Sequence, residues 1–242
     1  MNIWSIIDLL QPACAVCGLS TGSGIPLCAG CREDLPVIAP ACERCALPLT
    51  AGHPAPGTSG HITICPHCRR RPPPVGRAVA ACRYDFPVDR LVQRLKFGGQ
   101  LPLARVFGCL LSDRVRAAYA CDHLPAALIP VPLHPQRRRQ RGFNQAERIA
   151  LVTGRALGLP VLAGCVTRQR NTAAQSGLGL GARRRNLRAA FRLCDDATSA
   201  LPAHVALVDD VITSGSTVLA LAATLRAAGV VRVDAWAVAR TP

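Results

Sequence analysis

Residues 205–217 read VALVDDVITSGST. The apolar run Val205–Val208 predicts a buried strand, and Asp209 and Asp210 place two carboxylates at its end. The small, hydroxylated run Thr213-Ser214-Gly215-Ser216-Thr217 predicts a loop, and the Ala/Leu-rich stretch from Val218 to Ala228 predicts a helix. A loop entering a helix N-terminus offers backbone N–H groups and hydroxyls to an anion, and a phosphate monoester suits it well. Carboxylates one step earlier can accept hydrogen bonds from sugar hydroxyls, so a phosphorylated ribose fits both halves. Helix capping by Thr and Ser would account for the loop, but not for two acids at the end of a buried strand.

Working outward, strand and helix patterns alternate from Ala127, which predicts a parallel sheet covered by helices. Leu128–Leu133 reads as a strand running into a loop that carries His134, Arg137, Arg138, Arg139, Arg141 and Gly142. Phe143–Leu157 reads as a helix opening with Asn144 and Gln145, and Val161–Val166 as the next strand. A long polar loop, Thr167–Arg185, holds Arg168, Arg170, Thr172, Gln175 and Arg183–Arg185. Ala190–Leu193 and Val230–Val238 read as strands on either side of the acidic one. Before this core, Ala78–Tyr84 reads as a strand, Val88–Phe97 as a helix stopped by Gly98-Gly99, and Leu101–Tyr119 as a second amphipathic helix. Lys96, the chain's single lysine, sits just before the glycines, where it either reaches a phosphate or faces the helix dipole.

The 205–217 stretch resembles the binding signature of the type I phosphoribosyltransferases for 5-phosphoribosyl 1-diphosphate (PRPP), and the element order resembles that fold. The resemblance implies that Asp209 and Asp210 grip the ribose hydroxyls and that Thr213, Ser214, Gly215, Ser216 and Thr217 hold the 5-phosphate. Lys96, Arg137 and Arg141 are the candidates for the diphosphate, with Mg²⁺ bridging its oxygens to the ribose. The implied reaction displaces pyrophosphate from C1 through an oxocarbenium-like transition state. Asp209 and Asp210 would act on the developing positive charge and Arg168, or else Arg137, Arg141 or Arg183, on the leaving group, with the long loop closing over the site.

The first 75 residues are of another kind. Eight of thirteen Cys form four C-x-x-C pairs: Cys14/Cys17, Cys28/Cys31, Cys42/Cys45 and Cys65/Cys68. Two such knuckles make a tetrahedral four-Cys zinc site. Taken in order, the pairs predict two sites, the first from Cys14, Cys17, Cys28 and Cys31, the second from Cys42, Cys45, Cys65 and Cys68. Crossed pairing is also compatible with the spacing, as is His67 replacing a Cys ligand, and an iron–sulfur cluster is the rival occupant. Little apolar content supports this segment, so metal is expected to hold it together. Arg69–Pro74 (RRRPPP) is a stiff basic linker, which divides the chain into a ribbon domain, 1–75, and a larger domain, 76–242.

The ribbons, Leu95-Lys96-Phe97-x-Gly, Pro130-Val131-Pro132-Leu133, the run from Arg137 to Ala146 (RRRQRGFNQA), the T-x-x-Q-S-G-L stretch and the acid pair together resemble the ComF (competence protein F) family. That resemblance spans essentially the whole chain. It implies an α/β type I phosphoribosyltransferase fold, a parallel sheet flanked by helices, with a small N-terminal double zinc ribbon carrying two structural Zn²⁺. It also implies a role in natural competence, where imported single-stranded DNA is handled in the cytoplasm, with competence helicase or recombination proteins as partners.

Composition bounds these readings. Half of the 242 residues are apolar and only 4% aromatic, so the core is mostly Leu, Val and Ala. No apolar run reaches the roughly 18 residues of a membrane helix, and the apolar start MNIWSIIDLLQP lacks a basic flank and cleavage site. It is expected to form a short amphipathic helix, and the protein to be cytoplasmic without membrane insertion. Net charge is +15, and only +1 of it falls in residues 1–75, with five Arg against four acids. The larger part therefore attracts polyanions, either phosphorylated substrates or nucleic acid. Two classes follow: a phosphoribosyltransferase, or a non-catalytic PRPP- or phosphate-binding protein that binds single-stranded DNA and uses its ribbons for partner contacts.

Overall fold

The computed structural model describes residues 13–21, 25–49, 63–169, 190–194 and 201–242. Its centre is a four-stranded, all-parallel sheet of β1 (Ala78–Arg83), β2 (Ala127–Pro130), β5 (His204–Ile212) and β6 (Arg232–Arg240), in the order β1-β6-β5-β2. Parallel strands need crossover connections, and these are helical. Helices α3 (Val88–Gly98) and α4 (Pro102–Ala118) follow β1. Helices α5 (Pro135–Arg141) and α6 (Gln145–Leu157) follow β2, and α7 (Ser216–Ala227) joins β5 to β6.

The sheet is covered on both faces, which is why its central strands are apolar almost throughout. On one face, Val79, Ala206, Val208, Trp236 and Val238 meet Leu91, Leu95, Phe107, Leu111 and Ile149 of α3, α4 and α6. On the other, Ala80, Val205, Leu207, Val233 and Ala235 meet Val218, Leu221, Ala222 and Leu225 of α7. The predicted helix stop holds: α3 ends at Gly98, and Gly99 takes the left-handed conformation (φ 62°). Asn144 caps α6 through Oδ1, which accepts from the Ala146 N–H at 3.1 Å.

Three expectations change. The arginine-rich segment after β2 is a helix, α5, and not a loop; PQRRRQR has no apolar periodicity to announce it, and all its residues remain outside the core. His134 caps it, with Nδ1 accepting from the Gln136 N–H at 3.3 Å. Val161–Val166 is not a sheet strand. Only Val161 bridges β2, at Leu128, before the chain turns through Ala163-Gly164. Ala190–Leu193 does not join the sheet either: Val166–Arg168 forms β3, which pairs antiparallel with β4 (Phe191–Leu193) in a separate two-stranded arm. The expected N-terminal helix, and residues 170–185 of the long polar loop with Arg170, Thr172, Gln175 and Arg183–Arg185, lie outside the described residues.

The ribbon segment, with short helices α1 (Ala29–Glu33) and α2 (Pro66–Arg70), packs along the β1 edge. The Arg83 N–H donates to Pro36 O (2.7 Å), the Ile38 N–H to Ala81 O (3.2 Å) and the Ala78 N–H to Glu43 O (2.7 Å). An edge strand with free backbone groups is thereby covered. Cys14, Leu27 and Leu35 join the apolar cluster on one face, and Ile38 and Ala46 the cluster on the other.

Candidate functional site

Two kinds of site stand out. The eight C-x-x-C cysteines gather as the chain order predicts: Cys14, Cys17, Cys28 and Cys31 in one group, Cys42, Cys45, Cys65 and Cys68 in the other. Within each, the sulfurs lie within 4.8 Å of one another. Sulfurs about 2.3 Å from a tetrahedral zinc ion are about 3.8 Å apart. The Sγ atoms of Cys17 and Cys28, and of Cys45 and Cys65, are each 3.8 Å apart. The geometry fits a zinc ion in each group. His67 is exposed and belongs to neither.

Within each group the thiols are pushed in opposite directions: Cys14 and Cys42 are held down, while Cys31, Cys45 and Cys68 are pushed up. A hydrogen bond from Cys45 brings the Cys42 thiol down to about 4 against the cost of burial. Burial opposes ionisation of Cys14, but N–H groups of Cys17, Cys28 and Val16 bring it down to about 6.

The second site lies at the C-terminal end of the sheet, where ligands bind in open α/β folds. Asp209 and Asp210 lie near the end of β5, which runs on through Val211 and Ile212, still paired with β6. Their side chains point to opposite sides, so Asp210 is buried and Asp209 half-buried. Lys96, in the last turn of α3, reaches Asp210 with Nζ 3.0 Å from Oδ2. The lysine therefore does more than face the helix dipole: it joins the acid pair. Burial, then the neighbouring Asp210, push the Asp209 carboxyl up to about 7, against the pull of Lys96 and Arg168.

Around the pair stand the predicted arginines. Arg168 ends β3, its guanidinium 5.6 Å from the Phe191 ring centre. Arg141 ends α5, 5.1 Å from the ring centre of Phe97. Burial first, and then the neighbouring Arg137, hold the proton affinity of Arg141 and Arg168 down, while Asp210 and Asp209 respectively act in the opposite sense. Lys96, Phe97, Arg137, Gln140 and Arg141 line one open cleft of about 850 Å³.

Beyond β5 the chain passes Thr213 and Ser214, both exposed, to Gly215, whose φ of 73° opens α7. A side chain there would be strained, so glycine suits this entry. The Ser214 and Ser216 hydroxyls contact each other, and the Ser216 N–H points to Ser214 Oγ at 3.4 Å. The N-cap of α7, Gly215, has no side chain to cap it, so apart from the long contact of the Ser216 N–H its first N–H groups are left to a ligand or water. Thr217 lies in that first turn.

Sequence reasoning missed Arg240 at the end of β6. It is 7% exposed and bonds backbone carbonyls from both the loop and the second cysteine group. The available signal was a charge closing the apolar run Ala235–Ala239.

A parallel α/β sheet with a charged site at its C-terminal end, braced by two four-cysteine zinc-binding sites, defines the class: a double zinc ribbon joined to a phosphoribosyltransferase-like fold. Residues 6–68 match the family model described as a double zinc ribbon domain. Over 216 residues the chain is 36% identical to competence protein F of Haemophilus influenzae, covering 88% of this chain and 90% of the relative. Over 220 residues it is 34% identical to the DNA utilization protein YhgH of Escherichia coli K12 and to that of Salmonella typhi, covering 89% and 90%. The chain belongs to this ComF family. Among the described residues, no helix is long and apolar enough to cross a membrane.

Proposed function

We propose that this protein binds PRPP with Mg²⁺ at the end of β5 and acts in the cytoplasm in natural competence, in the uptake and use of DNA. The observation that carries the binding reading is the juxtaposition of two carboxylates, one held by Lys96 at 3.0 Å, with a glycine-capped helix N-terminus and three arginines. Asp209 and Asp210 receive the ribose hydroxyls, and the 213–217 loop receives the 5-phosphate. Arg137, Arg141 and Lys96 face the diphosphate, which Mg²⁺ accompanies. A divalent cation would also favour the ionised form of Asp209, whose proton affinity burial and then the neighbouring Asp210 raise. If transfer follows, Arg168 steadies the departing pyrophosphate, and the carboxylates stabilise positive charge at C1. The names of the relatives, competence protein F and DNA utilization protein, support the competence role. In this reading residues 1–75 brace residues 76–242 and offer a face to helicase or recombination partners.

Calorimetric titration of the zinc-loaded protein with PRPP and Mg²⁺ tests the site. Saturable binding, lost in Asp209→Asn/Asp210→Asn, is expected. A folded wild type that binds no PRPP sinks the reading.

A second reading, single-stranded DNA binding without transfer, has its own support. Phe97 is 76% exposed beside Arg141, and α5 presents Arg138 and Arg139 to solvent. Exposed rings interleaved with arginine suit stacked bases and their phosphates. Salt-dependent oligonucleotide affinity that persists in the double Asn variant would favour it.

A further inference from the structure

Arg240 closes β6, and a terminal arginine would ordinarily trail into solvent. Here it is buried and spends its donors on carbonyls from three chain segments. Nε donates to Cys45 O at 3.0 Å, and Nη1 to Ile212 O at 3.1 Å. The same Nη1 also contacts the carbonyls of Thr213 and Thr241. The Thr241 N–H donates in turn to Ile212 O at 3.0 Å.

These partners have two identities. Cys45 belongs to the second cysteine group, whose four residues all act electrostatically on the guanidinium. Ile212 and Thr213 are the root of the 213–217 loop. Four thiolates around one Zn²⁺ carry a net charge of −2, and a cation fixed beside them favours the loaded site. The planar guanidinium can fork between segments in a way that a lysine ammonium cannot.

We infer that Arg240 is a positioning residue that couples metal occupancy of the second ribbon site to the shape of the anion-binding loop. Withdrawing the metal lets the Cys42–Cys45 turn relax, moves the Cys45 carbonyl and loosens the arginine that holds Ile212 and Thr213. The first ribbon site has no such link among the described residues; its nearest ties to the body are Arg94 to Ala15 O and Arg32 to Asp113. The coupling does not depend on which anion the loop receives.

Hydrogen exchange of the full-length, zinc-loaded protein, followed in peptides covering residues 211–219, tests this. Chelating the zinc of the wild type is expected to speed exchange there about tenfold, the loss of a charge-assisted bond, while peptides from α4 stay slow. In zinc-loaded Arg240→Gln the loop is already fast, and chelation adds nothing. Arg240→Lys keeps the charge but not the fork, so it retains zinc against a competing chelator near the wild-type level and still has the fast loop. That split separates positioning from general packing. Unchanged exchange at 211–219 after zinc withdrawal from the wild type overturns the inference, as does an Arg240→Gln loop that responds to chelation as the wild type does. Should Arg240→Gln not fold, the wild-type and Arg240→Lys arms decide. No PRPP is used, so failure of the sugar-phosphate reading leaves this result untouched.

Discussion

The two ends of the sheet each hold buried acid, and they treat it in opposite ways. At the N-terminal end Asp234, fully buried, accepts from Tyr119 Oη (2.7 Å), the Arg77 N–H (2.7 Å) and Arg232 Nε (3.1 Å), and pairs with His204 Nε2 (2.7 Å). Arg77 continues outward to Glu43 and Asp122, tying ribbon, helix α4 and sheet together. At the C-terminal end Asp210 forms its ion pair with Lys96, with Arg141 farther off, and Asp209 has a carboxylate for a neighbour and a raised proton affinity. A carboxylate with every lone pair engaged is a structural joint. A crowded pair with a raised proton affinity, beside a lysine that lines a cleft, is what the proposed ligand reading requires. The comparison therefore predicts that stability lives at one end of the sheet and binding at the other.

The largest effect is expected from Asp234→Asn. It removes one charge from a closed network and leaves His204 and Arg232 facing an amide. Breaking a buried pair costs about 3–5 kcal/mol, to be seen as a lower urea midpoint. Gly76→Ala should approach the same loss by another route, since a Cβ there would fall 2.5 Å from Asp234 Oδ1. Whatever fraction remains folded should bind PRPP with wild-type affinity. A stable Asp234→Asn protein that had lost the ligand would reverse the assignment of the two ends.

The second prediction turns on the sign of proton linkage. The Asp209 carboxyl moves from 3.8 up to about 7 on folding. Below the lower value both states hold the proton. Between the two the folded state keeps a proton that the unfolded chain has shed, so stability falls as pH rises, and above about 7 the loss is complete. Asp209→Asn removes that penalty. Its stability relative to wild type should grow from near zero at pH 4 to about 1–4 kcal/mol at pH 8, while PRPP binding disappears. Because the variant is compared with wild type at each pH, acid loss of zinc cancels. A difference that stays flat with pH would mean that Asp209 is not strained, and the contrast with Asp234 would lose its C-terminal half.

The sequence discloses these two ends unequally. The C-terminal end was legible because its determinants are contiguous: the apolar run, two acids and a small-residue loop lie within 205–217, and a doubly covered parallel strand must read that way. The cysteine groups were legible for the same reason, each knuckle being local. Lys96 was visible as a singular residue, but its partner was not, since α3 meets β5 only through the packing of the whole sheet. The Asp234 joint had no signature at all. Its partners come from positions 77, 119, 204 and 232, and each residue alone looks like an ordinary surface group. Arg240 was hidden likewise. The expected sheet strand at Val161–Val166 failed because a short apolar run cannot say whether its neighbour is the sheet or a separate arm.

The smallest effect, and the sharpest probe of the joint, is Tyr119→Phe. The change deletes one hydroxyl and keeps the ring, so the edge-on contact with Trp236 (centroids 5.7 Å apart) and the Arg77 guanidinium 5.0 Å from the ring centre both survive. What is lost is the bond to Asp234 and the acceptor for Trp236 Nε1 at 3.2 Å. Asp234 keeps Arg77, His204 and Arg232, so the loss should stay near the cost of one or two unmade buried bonds, about 1–3 kcal/mol. The urea midpoint should fall, and PRPP affinity should not change. A hydroxyl that mattered to the ligand would do the reverse, lowering affinity at unchanged stability. That outcome would connect the ends of the sheet, because β6 carries Asp234 near its start and Arg240 at its finish.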